Sequence, residues 1–253
     1  SASSNMFTLL VEPATPCTTI EEVGSTGVGA LTMAFLIFIV SCLVFVQKAT
    51  TAPNKQISYL CIYICGFAAM SYFGMLSGQG WTAVAGCRQF FYARYLDWMI
   101  TFPLITILLG VIAGCEWTVI LGAIGAQLIQ LFALYMGSVS TVTTVKWLWF
   151  LINIGALGGV LVHLARIFKA GADAKGGEVA QLYGKVGWMT ILVWSCYPIV
   201  WLFSEGFSSF SVSFEITMYA ILDIVNKVVL CFMVMSAQDA IGSDDAAGNR
   251  EYV

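Results

Sequence analysis

The chain has 253 residues, of which 59% are hydrophobic and 10% charged, with eleven basic and fourteen acidic side chains and a formal net charge of −3. A soluble globular chain carries about 25% charged residues, so this composition excludes a soluble enzyme and a charge-rich disordered chain, and the slight acidic excess excludes a basic nucleic-acid binder. With a mean hydropathy of +0.87, most of the chain has lipid as its solvent, and the bilayer is its first partner.

Residues 1–24 have no basic stretch feeding an apolar core, so they read as an acidic extracellular tail and not as a signal peptide. A membrane crossing needs about 20 predominantly apolar residues. Seven segments qualify: 25–46, 56–76, 88–113, 116–136, 144–168, 183–204 and 212–236. The breaks between them, such as QKATTAPNK, SGQGWTAVAG and KAGADAKGGE, are too short for an extramembrane domain. In lipid the backbone must satisfy its own hydrogen bonds, so spans of this length are helices. Residues 25–237 are therefore expected to form one all-α membrane domain, a seven-transmembrane helix bundle, and 238–253 a short polar tail. Basic loop residues set orientation. Lys48 and Lys55 flank the first loop, and Arg166, Lys169, Lys175 and Lys185 the fifth, whereas the even loops hold Arg88 and Lys146. The N-terminus is then extracellular and the C-terminus cytoplasmic, as expected of a multi-pass protein of the plasma membrane.

The eight cysteines are scattered, mostly inside apolar runs, with no CxxC pair and no histidine partner pattern. Neither a metal site nor a disulfide framework is expected from such spacing, and most of these thiols read as small packing residues.

Few ionisable residues fall within hydrocarbon: Arg94 and Asp97 in the third span, Asp223 and Lys227 in the seventh, and Glu205 and Glu215 near span ends. A charge at the bilayer centre costs at least about 2.5–3.5 kcal/mol on insertion scales, so each marks a candidate functional site. Asp223 and Lys227 are four apart and share one helix face; Arg94, Asp97 and Thr101 run i, i+3, i+7 along another. A static clamp between helices is the plain alternative, but buried ion pairs often fail to offset their desolvation. A desolvated lysine also suits covalent attachment to an aldehyde. Trp98 adjoins Asp97, and Trp194, Tyr197 and Trp201 make a single face of the sixth span from about its middle. Interfacial tryptophans belong at span ends, so these read as the wall of a flat apolar ligand.

RYLDWMITFPL in the third span, WSCYPIVW in the sixth and LDIVNK in the seventh resemble the microbial (type I) rhodopsins, bacteriorhodopsin-like proton pumps above all. The resemblance covers all seven spans. It implies all-trans retinal held as a protonated Schiff base on Lys227, with Asp97 as counterion and proton acceptor, Asp223 as second counterion, and Thr101 bonded to Asp97. Arg94 would balance the two carboxylates from the extracellular side, and Tyr72 would bond near Asp223. Glu215 and Glu205 would be the inner and outer members of a proton-release pair. Tyr95, Trp98, Ile105, Trp149, Trp194, Tyr197, Pro198, Trp201 and Asn226 would join Tyr72 around the ligand.

The chain departs from the pump pattern at Leu108, eleven residues after Asp97, where the family's cytoplasmic proton donor stands. Cys61 and His163 are weak substitutes, and Asn226 precedes the lysine where pumps have a small residue. Three readings follow. The first is an outward proton pump, slow to reprotonate, whose transported partner is the proton. The second is a photosensory receptor acting through a signalling partner, and the third a light-gated channel. None is an enzyme. Trimers or pentamers are usual in such families. Replacement Lys227→Ala is expected to abolish visible absorption after retinal addition; a coloured mutant would sink the retinal assignment.

Overall fold

A computed structural model describes residues 17–84, 86–238 and 241; the rest of the expected tails, 1–16, 239–240 and 242–253, lies outside the described residues. Seven helices are long and apolar enough to cross a membrane: α1 (Ser25–Ala49), α2 (Lys55–Leu76), α3 (Tyr92–Ala113), α4 (Trp117–Val139), α5 (Thr143–Lys175), α6 (Gly177–Gly206) and α7 (Val212–Ser236). Each carries large apolar side chains on its outward surface, among them Met33, Met70, Leu96, Ile129, Leu151, Leu192 and Ile221. That is the arrangement expected where the surroundings are hydrocarbon and burial is not what drives the helices together. Polar side chains are drawn inward instead: Arg94, Asp97, Asp223, Asn226 and Lys227 are all buried.

Two expected boundaries are corrected. Residues 88–90 do not begin the third span: Thr82–Val84 (β1) and Arg88–Phe90 (β2) form an antiparallel hairpin, and the helix starts at Tyr92. The supposed fifth loop is helical to Lys175, and only Gly176 and Gly177, at φ +72° and +53°, turn the chain into α6. Left-handed backbone of this kind is inexpensive only for glycine. The short segments before α2 and α7 end in caps, Asn54 accepting from Ile57 N at 3.1 Å and Ser211 from Phe214 N at 3.3 Å, which satisfies amides that a helix start leaves unpaired.

A third correction concerns the cysteines. Cys17 and Cys87 form a disulfide, joining the segment before α1 to the turn of the hairpin. Both lie outside the spans, where spacing alone carries no pairing signal. Glu21 extends the junction as a parallel bridge to Arg88, with Glu21 N donating to Cys87 O at 2.8 Å and Gln89 N to Glu21 O at 3.0 Å. The other six cysteines are free thiols.

Three helices contain a π-helical turn: His163–Phe168 in α5, Leu202–Gly206 in α6 and Ile224–Val229 in α7. Such turns shift the side-chain register within a continuous helix and recur at functional sites; the third contains Lys227. Glycine allows the closest approach of α5 to the α3–α4 turn, since a Cβ on Gly171 would sit 2.8 Å from the carbonyl oxygen of Ala113. Backbone cannot swing aside as a side chain does. Gly171→Val is therefore expected to cost about 1–3 kcal/mol, the usual range for overpacking, read as a lower thermal unfolding midpoint in lipid or detergent.

Candidate functional site: a buried lysine between two carboxylates

Lys227 is wholly buried. Its Nζ pairs with Asp97 Oδ2 from α3 and, at 3.2 Å, with Asp223 Oδ1 one turn earlier on α7. The two carboxylates are not solvated alike. Asp223 accepts from Tyr72 Oη of α2 at 2.8 Å, Trp98 Nε1 of α3 at 3.0 Å and Tyr197 Oη of α6 at 2.6 Å. Asp97 pairs with Lys227 through one oxygen, and its Oδ1 has no hydrogen-bond partner among the described residues. Thr101, expected as a hydrogen-bond partner of Asp97, donates to the Asp97 main-chain carbonyl at 2.8 Å. A hydroxyl one turn along its own helix finds that carbonyl without moving.

Aromatic rings enclose the triad. Trp98 meets Tyr197 and Tyr219 edge-on at 5.0 and 5.1 Å, Phe102 stacks on Trp194 at 5.2 Å, and the Phe38 ring lies 5.7 Å from Lys227 Nζ. Ile105 and Pro198 are buried too. Asn226, beside the lysine, is buried with both side-chain heteroatoms unpartnered, as is Trp194 Nε1.

Arg94 departs from expectation. Among the described residues its ion pair is not with the two aspartates it was expected to balance from the extracellular side: its Nη1 donates to Glu215 Oε1 at 2.8 Å, and its guanidinium lies 4.4 Å from the centre of the Tyr219 ring. Cation–π contact of this kind suits the weakly hydrated guanidinium. Glu215 and Glu205 both line a small cleft with Arg88, Lys146, Ser138 and Ser208. Glu205 accepts from Tyr95 Oη at 2.9 Å and from the Ser204 hydroxyl. Tyr95 thus serves this second cluster and not the lysine, reaching Ser138 as well at 2.8 Å. Trp201 joins the same cluster, donating from Nε1 to Ser138 Oγ at 2.6 Å.

Trp149 is also displaced. It is only half-buried and packs edge-on against Phe132 of α4, while Phe150 stacks on Trp201 at 4.9 Å. Neighbouring positions on a helix point about 100° apart, so the two half-buried rings meet different partners. Phe102, Phe150, Ser138, Ser204 and Arg88 were not singled out from sequence. Tyr219 was missed despite a usable signal, since it stands four residues before Asp223 on the same face.

Toward the other end of α3 the interior is nearly apolar. Leu108 is fully buried. Thr106 donates to Gln127 at 2.6 Å, and Cys61, Cys65 and Cys231 are buried, the Cys231 thiol in reach of the other two. His163 Nδ1 lies 2.9 Å from the Gly159 carbonyl of its own helix, only half-buried.

Seven apolar helices closed around a lysine and two aspartates define a class of membrane protein built to hold one charged nitrogen out of water. The chain belongs to the bacteriorhodopsin-like protein family, whose sequence model matches residues 26–241. It is 28% identical to Opsin-1 of Neurospora crassa over 87% of this chain and 79% of that one, and 28% identical to bacteriorhodopsin of Halobacterium salinarum over 76% of this chain and 75% of that one. Among solved structures, it is similar to the light-driven proton pump of Coccomyxa subellipsoidea, with a TM-score of 0.84 and 30% identity, covering 87% of this chain and 100% of the other. Members of this family are light-driven ion pumps and not enzymes. Tyr197→Phe is expected to lower stability by about 1.5–3 kcal/mol, the usual worth of a hydrogen bond to a charged group. Thermal unfolding followed by tryptophan fluorescence would measure it, and an unchanged midpoint would mean that Tyr197 does not support Asp223.

Proposed function

We propose that this protein is a light-driven outward proton pump carrying all-trans retinal joined covalently to Lys227. The observation that carries the reading is the unequal solvation of the two carboxylates beside that nitrogen. Asp223, with three donors besides Lys227, is the more fully hydrogen-bonded carboxylate. Asp97, with one oxygen unpartnered, is the better proton acceptor, because protonation there breaks fewer hydrogen bonds.

The residues present fit the ligand. Trp98 and Tyr197, bonded to Asp223, continue through Phe102 to Trp194 as a connected set of rings whose flat faces suit a conjugated chain, and among the described residues Trp194 Nε1 is an unpartnered donor. Phe102 and Trp194 are in ring contact, so a long flat ligand between them requires the two rings to part. When bound, retinal supplies visible absorption and a light-driven change in where the proton on the Lys227 nitrogen points.

The protein side chains perform the rest. Asp97 and Asp223 hold the proton at Lys227 in the dark. When the N–H turns from them, Asp97 takes the proton, and Arg94, Glu215, Tyr95 and Glu205 continue a polar route toward the hairpin end. Moving one charge against 100 mV requires about 2.3 kcal/mol, which light provides.

Orientation follows from the basic residues of the first and fifth loops, with the hairpin end outside. Arg88 and Lys146, the two exceptions, are engaged locally, Arg88 in ion pairs and Lys146 donating to the Glu205 carbonyl at 2.8 Å. Buried Leu108 favours slow return of a proton from inside, which also suits a photosensory receptor with a separate partner. Illumination of cells carrying the pigment is expected to acidify the medium, with a protonophore abolishing the signal and Asp97→Asn removing it while red-shifting absorption. A coloured protein that leaves the medium unchanged would favour the receptor.

A further inference from the structure

Arg88, at the start of β2, is 6% exposed and has every terminal nitrogen engaged. Nη1 donates to Glu21 Oε2 at 3.0 Å and to the Phe210 carbonyl at 2.7 Å, and Nη2 to Glu215 Oε2 at 3.0 Å. Since Arg94 takes Glu215 Oε1, each oxygen of Glu215 faces a guanidinium. Glu205 is held differently. Its carboxyl meets only the hydroxyls of Tyr95 and Ser204, and the nearest lysine, Lys146, reaches its main-chain oxygen instead. Among the described residues no hydrogen bond joins the two glutamate carboxyls, although both line the same cleft.

Charge-assisted bonds to two fixed guanidiniums strongly favour the ionised carboxyl, whereas hydroxyl partners can either donate to a carboxylate or accept from a carboxylic acid. We propose that Arg88 is a positioning residue that, with Arg94, keeps Glu215 a carboxylate, so that Glu205 alone stores and releases the outgoing proton. This rests on the proton-pump reading and replaces the shared release pair that the family resemblance implies. In the release step the O–H bond of Glu205 breaks and its proton passes to water at the mouth of the cleft. The bond re-forms with the proton that arrives by way of Asp97, so the count closes at one proton per cycle.

The clamp is itself anchored. Glu21, whose side chain is 45% exposed, also accepts from Val212 N at 3.2 Å, and the backbone on either side of Arg88 is tied to the Cys17–Cys87 disulfide. The charged and titratable groups around Glu205 are Arg94 and Tyr95 from α3, Lys146 from α5, Glu215 and Tyr219 from α7, and Arg88 from β2. Removing Arg88 leaves this set more negative and makes loss of the Glu205 proton harder.

Two measurements on the retinal-reconstituted full chain in lipid nanodiscs test the assignment. In the dark, infrared spectroscopy is expected to show a buried protonated carboxyl band that Glu205→Gln removes and Glu215→Gln retains; the reverse pattern would overturn the proposal. After a flash, a pH dye is expected to report early proton release whose pH midpoint rises by about one pH unit in Arg88→Gln and returns toward the parent value in Arg88→Lys. An unmoved midpoint in Arg88→Gln would refute the role of Arg88. A merely structural arginine would lower thermal stability in both variants alike without moving that midpoint. Absence of any light-driven pH change would defeat the pump reading alone, because the dark infrared bands still decide between Glu205 and Glu215.

Discussion

The ammonium group of Lys227 is held fully buried inside the bundle, and the remainder of the site answers that constraint. An unpaired charge at such depth is costly, so two carboxylates stand beside it, from α3 and from its own helix. Those carboxylates need donors in turn. Three are aromatic side chains from α2, α3 and α6, each presenting an apolar body and one polar atom. Aromatic residues therefore serve two purposes here: they fill the space around the nitrogen, and they complete the solvation of Asp223.

Polarity along the bundle axis is strongly uneven. From the lysine toward the hairpin stand two bonded polar groups, Arg94 with Glu215 and Tyr95 with Glu205 and Ser138. In the opposite direction Leu108 and its neighbours are apolar, relieved by hydrogen bonds of Thr106 to Gln127, Tyr183 to the Leu164 carbonyl and Gln238 to Ser58, and by a group of thiols. Protons move along hydrogen-bonded groups, so this asymmetry supports the proposed outward pump. The hairpin end is also the mechanically reinforced one, with the disulfide, the Glu21–Arg88 bridge and β1–β2 joined across the end of the bundle.

Much of this was legible in the order of residues. The seven spans follow from hydropathy because lipid admits long apolar helices almost without competition, and the structure alters their limits only at the hairpin and at the α5–α6 turn. The pairing of Asp223 with Lys227 follows from their four-residue spacing on one helix. Where the reading strayed, rotation or long-range contact was at issue. Trp149 and Phe150 are both aromatic neighbours in an all-round apolar helix, so periodicity offers little to choose between them. Cys17 and Cys87 lie seventy positions apart in sequence, and their pairing depends on the hairpin folding back against the segment before α1. Tyr95 belongs to a recognisable motif, yet its hydroxyl goes to Glu205 because α6 brings that carboxyl to it.

The sequence by itself determined that the chain is a seven-span membrane protein with a lysine and two aspartates among its few buried charges, because hydropathy and helical spacing are local properties. Only the tertiary structure decided how those charges are partnered: Asp223 with three extra donors and Asp97 with a free oxygen, Arg94 on Glu215, and Arg88 completing a clamp that leaves Glu205 among hydroxyls. Electrostatic partnership depends on distance in space, and residues from five different elements meet at this site with no spacing rule to announce it.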